Sequence, residues 1–332
     1  MIGCSSFTME TKDKKHFLSR TMDFMMEMAE QVVFVPKQKT FAVSYEARQE
    51  ITSKHAFIGM GSLDDGPITC DGVNDAGVTG AVLYFPGYAS YQEQVAPGTW
   101  AVSPDKIISV ILAQAASLAE VKDLFKKQIT IVDEGNPTLK VVPPLHYIFS
   151  DTSGASLIVE PQQDGIHLIE DSIGVMTNSP DYHWHETNLR NYLAVTPKQH
   201  DDVAFLGKTL KPFSQGSGTF GLPGDFTPTS RFVRTAFMKN NVEQPKDEIG
   251  AVTLAHHILE SVSIPRGIVV TPDQTFDFTC YAAYICAESK TYYYSTYGNQ
   301  RIRCVQLTPE LEAETDYREF KVNPKEDIER LN

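Results

Sequence analysis

No stretch of the 332-residue chain approaches the roughly 18 uninterrupted apolar residues that a membrane helix needs, so no membrane partner is expected. The opening residues lack the charged and apolar regions of an export signal, and the expected compartment is the cytoplasm. Basic residues are in the minority: 29 Lys and Arg stand against 42 Asp and Glu, a net charge of −13. A nucleic-acid partner would want a clustered basic face, and this balance argues against one. Cysteine is scarce. The five present are Cys4, Cys70, Cys280, Cys286 and Cys304, an odd number with no C-x-x-C pair to suggest zinc or a redox couple. In a reducing compartment they are expected as free thiols, the last four as packing residues, with Cys280 and Cys286 on one face of a strand. Gly216-Ser217-Gly218 lacks the following lysine of a phosphate loop. His183 and His185 stand two apart without an apparent third ligand, so neither a metal nor a cofactor is expected. No linker, repeat or low-complexity tract marks a boundary, and the chain reads as one domain of ordinary composition, 42% apolar and 21% charged.

What is there alternates strands with paired helices. Residues 4–9 and 16–24 read as two strands joined by a polar turn over residues 11–15, which would set Cys4 opposite the segment from Arg20 to Asp23. Residues 31–36 make a third strand and 40–60 a further pair, followed by a turn at Asp64-Asp65-Gly66-Pro67. The near-continuous apolar run from Val78 to Phe85 suits a buried strand. From Phe85 to Trp100 the chain is rich in Tyr, Gly and Pro without a period, which fits a binding wall or an aromatic-packed connection equally well. Pro104 opens one helix, and Ser117 with Glu120 caps a second. Strands return at 147–149, 156–160, 166–169 and 174–178, helices at 182–194, 228–240 and 247–262, and strands over 275–306. The pattern alone predicts a mixed α/β or α+β protein with antiparallel sheets and helices on the outside.

The chemistry is read from Cys4. A free N-terminal cysteine holds nucleophile and base in one residue, because its α-amine has a pKa of about 7.7–8.0 and can take the thiol proton. Cys4 reaches that state only if Met1-Ile2-Gly3 is removed. Ile2 is too bulky for ordinary methionine trimming, so self-cleavage after Gly3 is expected, and Gly3 leaves its carbonyl open to close approach. The plain alternative is a buried structural cysteine. Arg20 on the facing strand would favour the thiolate, and Asp23 could accept a hydrogen bond from the α-amine. The same two residues would also make an ordinary surface ion pair.

Five segments occur in order: Cys4, Arg20-Thr21-Met22-Asp23, Asn74-Asp75-Ala76-Gly77, Thr177-Asn178-Ser179-Pro180, and the stretch from Gly221 to Arg231 that reads GLPGDFTPTSR. Together they resemble the penicillin V acylase and bile salt hydrolase family of N-terminal-nucleophile hydrolases, over essentially the whole chain. The resemblance implies an α+β fold, a four-layer αββα sandwich, with residues 1–3 as a propeptide and 4–332 as the mature domain. Three residues before the cysteine look most like the penicillin V acylase branch of Gram-positive bacilli. By the same resemblance Asn178 is the oxyanion asparagine, Tyr84 supplies a backbone N–H to the hole, and Arg231 orients the catalytic groups. Met22, Phe24, Met60 and Phe85 are candidates for an apolar acyl pocket.

The reaction so implied is hydrolysis of a linear amide through a thioester on Cys4. Penicillin V is the expected substrate, with conjugated bile salts and N-acyl homoserine lactones as alternatives. The position of Tyr84 tends to be tyrosine in penicillin V acylases and asparagine in bile salt hydrolases. Homotetramers are common in this branch and are expected here by analogy. A non-catalytic binding protein on the same fold is the reading from another class, and it requires that Cys4 never gain a free amine.

Overall fold

In the computed structural model, which describes residues 3–26, 31–63, 65–137 and 140–332, most strands belong to two large antiparallel sheets. Strands β1 (Ser5–Glu10) and β2 (His16–Phe24) form the expected hairpin, with Ser5 opposite Thr21 and Ser6 opposite Arg20. The chain then crosses to a second sheet through β3 (Gln31–Val35), β4 (Phe57–Ser62), β5 (Ile68–Asn74) and β6 (Thr79–Tyr84). Helices α1 (Ile107–Gln114) and α2 (Leu118–Lys127) precede β7 (Leu145–Ser150), β8 (Ser156–Gln162) and β9 (Gly165–Ile169), which extend that sheet. The short β10 (Val175–Met176) returns to the first sheet beside β1. Helices α3 (Tyr182–Asn188), α4 (Pro228–Asn241) and α5 (Glu248–Glu260) lead into β11 (Phe276–Cys286), β12 (Thr291–Thr296) and β13 (Asn299–Gln306). A last strand, β14 (Arg318–Phe320), pairs with β3 at the edge of the second sheet. The strand orders are β10-β1-β2-β11-β12-β13 and β9-β8-β7-β6-β5-β4-β3-β14.

Side-chain alternation builds the layers. In β6, Ala81 and Leu83 join the core shared with the first sheet, while Val82 between them joins the core under α1 and α2. In β7 Ile148 points to the first core, and Tyr147 and Phe149 point to the second. Both faces of these strands are therefore buried, which is why they read as unbroken apolar runs. Helix α1 is buried along its whole length, whereas α2 is capped by Ser117, whose side chain accepts from the Glu120 N–H. On the far side Phe232 and Ala236 of α4 and Ala255, Ile258 and Leu259 of α5 pack on the first sheet. The architecture is α+β, with two sheets face to face and helices outside both.

Local expectations need several corrections. Residues 40–60 hold three strands: Thr40–Ala42 pairs with Glu50–Thr52 apart from the large sheets, and β4 begins at Phe57. Strand β5 was not expected, because Asp71 and Gly72 interrupt its apolar pattern. The turn expected from Asp64 to Pro67 falls partly on Asp64, which lies outside the described residues, as do Met1 and Ile2. Cys280 and Cys286 are buried on β11 as expected, and the partly buried Cys70 packs against both cores, but Cys304 is exposed and is not a packing residue.

Candidate active site

The hairpin brings Cys4 and Arg20 together. Arg20 Nη2 donates to Cys4 Sγ at 3.0 Å, and Met22 Sδ lies 3.8 Å from the same sulfur. Burial pushes the Cys4 thiol above its ordinary value. The Arg20 guanidinium opposes that rise, Asp23 adds to it, and Arg231 opposes it from further away. Arg20 itself is wholly buried, 0% exposed, and Asp23 is 2% exposed, which removes the surface ion-pair reading of these two residues.

What holds Arg20 is Asp71, which sequence reasoning missed. Arg20 Nη1 donates to Asp71 Oδ2 at 2.8 Å and to the Tyr281 hydroxyl at 2.8 Å, while Nη2 also donates to the Val82 carbonyl at 2.8 Å. The Tyr281 hydroxyl in turn donates to Asp71 Oδ2 at 2.6 Å, and the Tyr292 hydroxyl to Asp71 Oδ1. A fully buried carboxylate thus meets one guanidinium and two phenols, the dense partnering that a buried charge requires. The one signal in the sequence was a carboxylate set among Ile68, Cys70 and Val73, in a stretch that does not read as a strand.

Asp23 faces a different set of groups. Thr279 Oγ1 donates to its Oδ1 at 2.6 Å, Thr21 Oγ1 lies 3.3 Å from Oδ2, and Arg231 Nη1 stands 3.9 Å away. Burial raises the Asp23 pKa, and Arg231 and the Thr279 hydrogen bond work against that rise. The β2–β11 ladder is bulged between Thr279 and Tyr281. Such a bulge re-aims side chains, and here it sends Thr279 to Asp23 and Tyr281 to Asp71.

Asn178 follows β10, and Arg231 sits in the first turn of α4, behind the Thr227 cap and Pro228. Arg231 Nη1 donates to the Cys4 carbonyl and to Ser5 Oγ, both at 2.7 Å, and Nη2 donates to Asn178 Oδ1 at 2.7 Å. A guanidinium has no acceptor, so it fixes which end of the Asn178 amide is oxygen. The amide nitrogen then donates to the Tyr84 carbonyl at 2.7 Å. From Tyr84, then, the carbonyl is the group that meets Asn178. Gly3 lies against this pair: a Cβ built on it would stand 2.5 Å from Asn178 Nδ2 and 2.9 Å from Tyr84 Cβ, and its φ is +75°.

The other expected site residues spread out. Met22 is buried against the thiol, and Phe24 is half-buried at the end of β2. Met60 and Phe85 are 1% and 0% exposed, so neither lies on open surface. The Phe85 ring stacks on Tyr88 and, at 4.3 Å, on His146. Tyr91 turns inward, its hydroxyl donating to the Pro143 carbonyl at 2.7 Å and accepting from the Leu145 N–H. The segment Asn74-Asp75-Ala76-Gly77 belongs to the scaffold: Asn74 Nδ2 caps the end of α1 through the Leu112 and Ala115 carbonyls, at 2.9 and 2.7 Å. His183 is exposed and His185 is 2% exposed, so the two point opposite ways from α3. Among the described residues no group of three or more His, Cys, Asp or Glu is placed to hold a metal ion, and no helix is long and apolar enough to cross a membrane.

A family model described as linear amide C–N hydrolases, choloylglycine hydrolase family, matches residues 4–320. A bile salt hydrolase/transferase from Clostridium perfringens is 34% identical over 99% of this chain and 100% of its own. A solved variant of conjugated bile acid hydrolase from the same organism superposes with a TM-score of 0.92 at 32% identity, again over 99% and 100% of the two chains. A penicillin V acylase from Pectobacterium atrosepticum is 25% identical over 87% of this chain and 76% of its own. The expected proximity to penicillin V acylases is thus corrected: these comparisons lie nearer to bile salt hydrolases.

Proposed function

The chain belongs to the choloylglycine hydrolase family of linear amide C–N hydrolases, and from that premise we propose that it cleaves N-acyl amides by attack of the Cys4 thiolate. One observation carries the assignment of roles. The glycine that precedes Cys4 rests against the Asn178 amide nitrogen and Tyr84, which supports reading the chain's own Gly3–Cys4 bond as a stand-in for a substrate amide. Once Gly3 is gone, the Cys4 α-amine accepts the thiol proton, with Arg20 at 3.0 Å stabilising the sulfur anion. Attack on the acyl carbon gives a tetrahedral oxyanion, and Asn178 Nδ2 is the donor held ready for it. The α-ammonium returns its proton to the departing amine, leaving a thioester, and water releases the acid and regenerates Cys4. Arg231 holds the Cys4 carbonyl through this exchange, and Asp23 is the carboxylate left to accept from the α-amine.

Maturation gives a direct test of the geometry. Gly3→Ala places a methyl group where Asn178 Nδ2 would be 2.5 Å away, on a backbone at φ +75° that alanine seldom adopts. The expected result is a folded chain whose intact mass keeps residues 1–3 and which turns over no amide. A Gly3→Ala chain that begins at Cys4 would show that the bond is not cut in this site.

Conjugated bile salts are the substrate class that the relatives support. Phenoxymethylpenicillin is a second reading, and Tyr84 favours it. That side chain begins 2.9 Å from the Cβ position of Gly3, at the mouth of the site. An aromatic ring there narrows the entrance and suits a flat aryl acyl group, with Tyr88 stacked on Phe85 at 5.3 Å close behind. Tyr84→Asn is accordingly expected to raise the ratio of kcat/KM on a glycine-conjugated bile salt to that on penicillin V by about tenfold, the size of one such contact. An unchanged ratio would remove Tyr84 from substrate selection.

A homotetramer remains the proposed assembly. Support for self-association comes from the surface beyond α3, where an exposed hairpin (Val203–Phe205 with Lys208–Leu210) carries Leu206 at 90% exposure and Phe213 nearby is fully exposed.

A further inference from the structure

Asn178 is held twice. Its side chain is fixed by the Tyr84 carbonyl and by Arg231. Its backbone is fixed by two buried histidines that no step above uses. His146 Nε2 is 2.9 Å from the Thr177 carbonyl, and His185 Nε2 is 2.8 Å from the Asn178 carbonyl. Carbonyl oxygens only accept, so each imidazole must donate there, and two successive carbonyls of the oxyanion segment are gripped from two elements, β7 and α3.

The rings are located by stacking. His146 lies on Phe85 at 4.3 Å and 8°, and His185 lies on Phe232 at 4.6 Å and 12°. Phe85 follows Tyr84 and Phe232 follows Arg231, the two residues that hold the Asn178 side chain. Backbone and amide of Asn178 are therefore referred to the same two segments of chain. Glu160, 1% exposed, joins the two grips, since its Oε1 lies 3.4 Å from His146 Nδ1 and accepts from the Tyr182 N–H at the start of α3 at 3.0 Å. His185 Nδ1 is buried with no hydrogen-bond partner, which suits a neutral ring protonated at Nε2. Burial holds its pKa down at about 4, against a smaller upward pull from the Asn178 carbonyl.

We infer that His146 and His185 are positioning residues that set the aim of the Asn178 amide at the oxyanion, acting through the peptide carbonyls on either side of the Asn178 N–H. The inference rests on the reading of Asn178 as the oxyanion donor. Neither imidazole has a hydrogen bond or ring contact with Cys4, Arg20 or Asp23, and the hydrogen bonds of their Nε2 atoms lead to the Thr177 and Asn178 carbonyls. A leucine in either place would bury an unpaired carbonyl, and a phenylalanine would keep the stack but lose the donor.

The test is a double-mutant cycle on chains expressed with Cys4 directly after the start methionine, so that methionine removal supplies the α-amine without self-cleavage. In it, kcat and KM are measured on whichever amide, glycine-conjugated bile salt or penicillin V, the parent turns over. His185→Phe is expected to lower kcat about 10- to 100-fold with KM within about twofold, less than the roughly 10²–10³-fold expected for Asn178→Ala. On the Asn178→Ala background the same His185→Phe change should cost under about twofold, because the group it aims is gone. His185→Gln, which can place an N–H near the Nε2 position, should recover most of kcat. If His185→Phe does not fold, His185→Met, similar in length and without a donor, takes its place against His185→Gln. An equal loss on both backgrounds, or a Gln variant no better than Phe or Met, overturns the inference while leaving Asn178 in its role. Full activity of Asn178→Ala overturns both.

Discussion

Cys4→Ala is expected to give a folded chain that keeps Met1, Ile2 and Gly3 and shows no measurable amide hydrolysis. Two losses coincide in this variant. The sulfur that Arg20 and Met22 surround is gone, and with it the nucleophile that would cut the Gly3–Cys4 bond and release the α-amine. Covalent catalysis has no substitute here: the Asn178 amide can still polarise a carbonyl, but nothing attacks it. The fold should survive, since alanine fills most of the volume and Arg20 keeps Asp71, Tyr281 and the Val82 carbonyl. Intact mass, circular dichroism and turnover decide the matter together. A Cys4→Ala chain that starts at residue 4 would assign maturation to an outside protease, and one that hydrolyses amides would remove Cys4 from the mechanism. A non-catalytic binding protein, by contrast, predicts that the parent chain also keeps its first three residues and turns over nothing.

The parts of this site that the sequence shows are those carried on contiguous motifs. Cys4 and Arg20 are placed across a hairpin by strand periodicity alone, and the register, which pairs Ser5 with Thr21, sets Cys4 opposite the Arg20–Asp23 segment as expected. Asn178 and Arg231 came from the motif resemblance, and their 2.7 Å hydrogen bond joins segments 53 residues apart that no local pattern connects. The two sheets and the α1–α2 and α4–α5 pairs followed from hydrophobic period, since burial on one or both faces is written into the pattern.

What stayed hidden is long-range polar packing. Strand β5 was missed because Asp71 looks like a turn residue until Arg20, Tyr281 and Tyr292 are seen around it. His185 read as half of a weak metal pair with His183, and only the helix shows that the two face apart. His146 carried no signal at all. Its meaning lies in a ring stacked on Phe85 and in a carbonyl 31 residues away. Each of these groups is defined by partners distant in sequence, so period and propensity have nothing to register.

Asp71 is where that hidden packing has its largest consequence. Asp71→Ala leaves Arg20 buried and charged with its carboxylate removed, and removing one partner of a buried pair costs about 3–5 kcal/mol. The Tyr281 and Tyr292 hydroxyls lose their hydrogen bonds to this carboxylate in the same step, at about 1.5–3 kcal/mol for a hydrogen bond to a charged group, though the terms overlap and do not add. Water or a displaced side chain must then enter the layer between the sheets. Either way Arg20 Nη2 is no longer held at 3.0 Å from the thiol, and the thiolate loses its stabilising charge. The expected outcome is a urea unfolding midpoint that falls by the equivalent of at least about 3 kcal/mol, together with a drop in kcat/KM of at least about tenfold in the fraction that remains folded. Asp71→Asn separates charge from shape. It keeps one oxygen to accept from the tyrosines but turns an amide N–H₂ or a neutral oxygen toward Arg20, so it should fold better than Asp71→Ala and still lose activity. Unfolding free energy within about 1 kcal/mol of the parent for Asp71→Ala, with activity unchanged, would mean that Arg20 is held by Val82 and Tyr281 alone and that the carboxylate is a bystander.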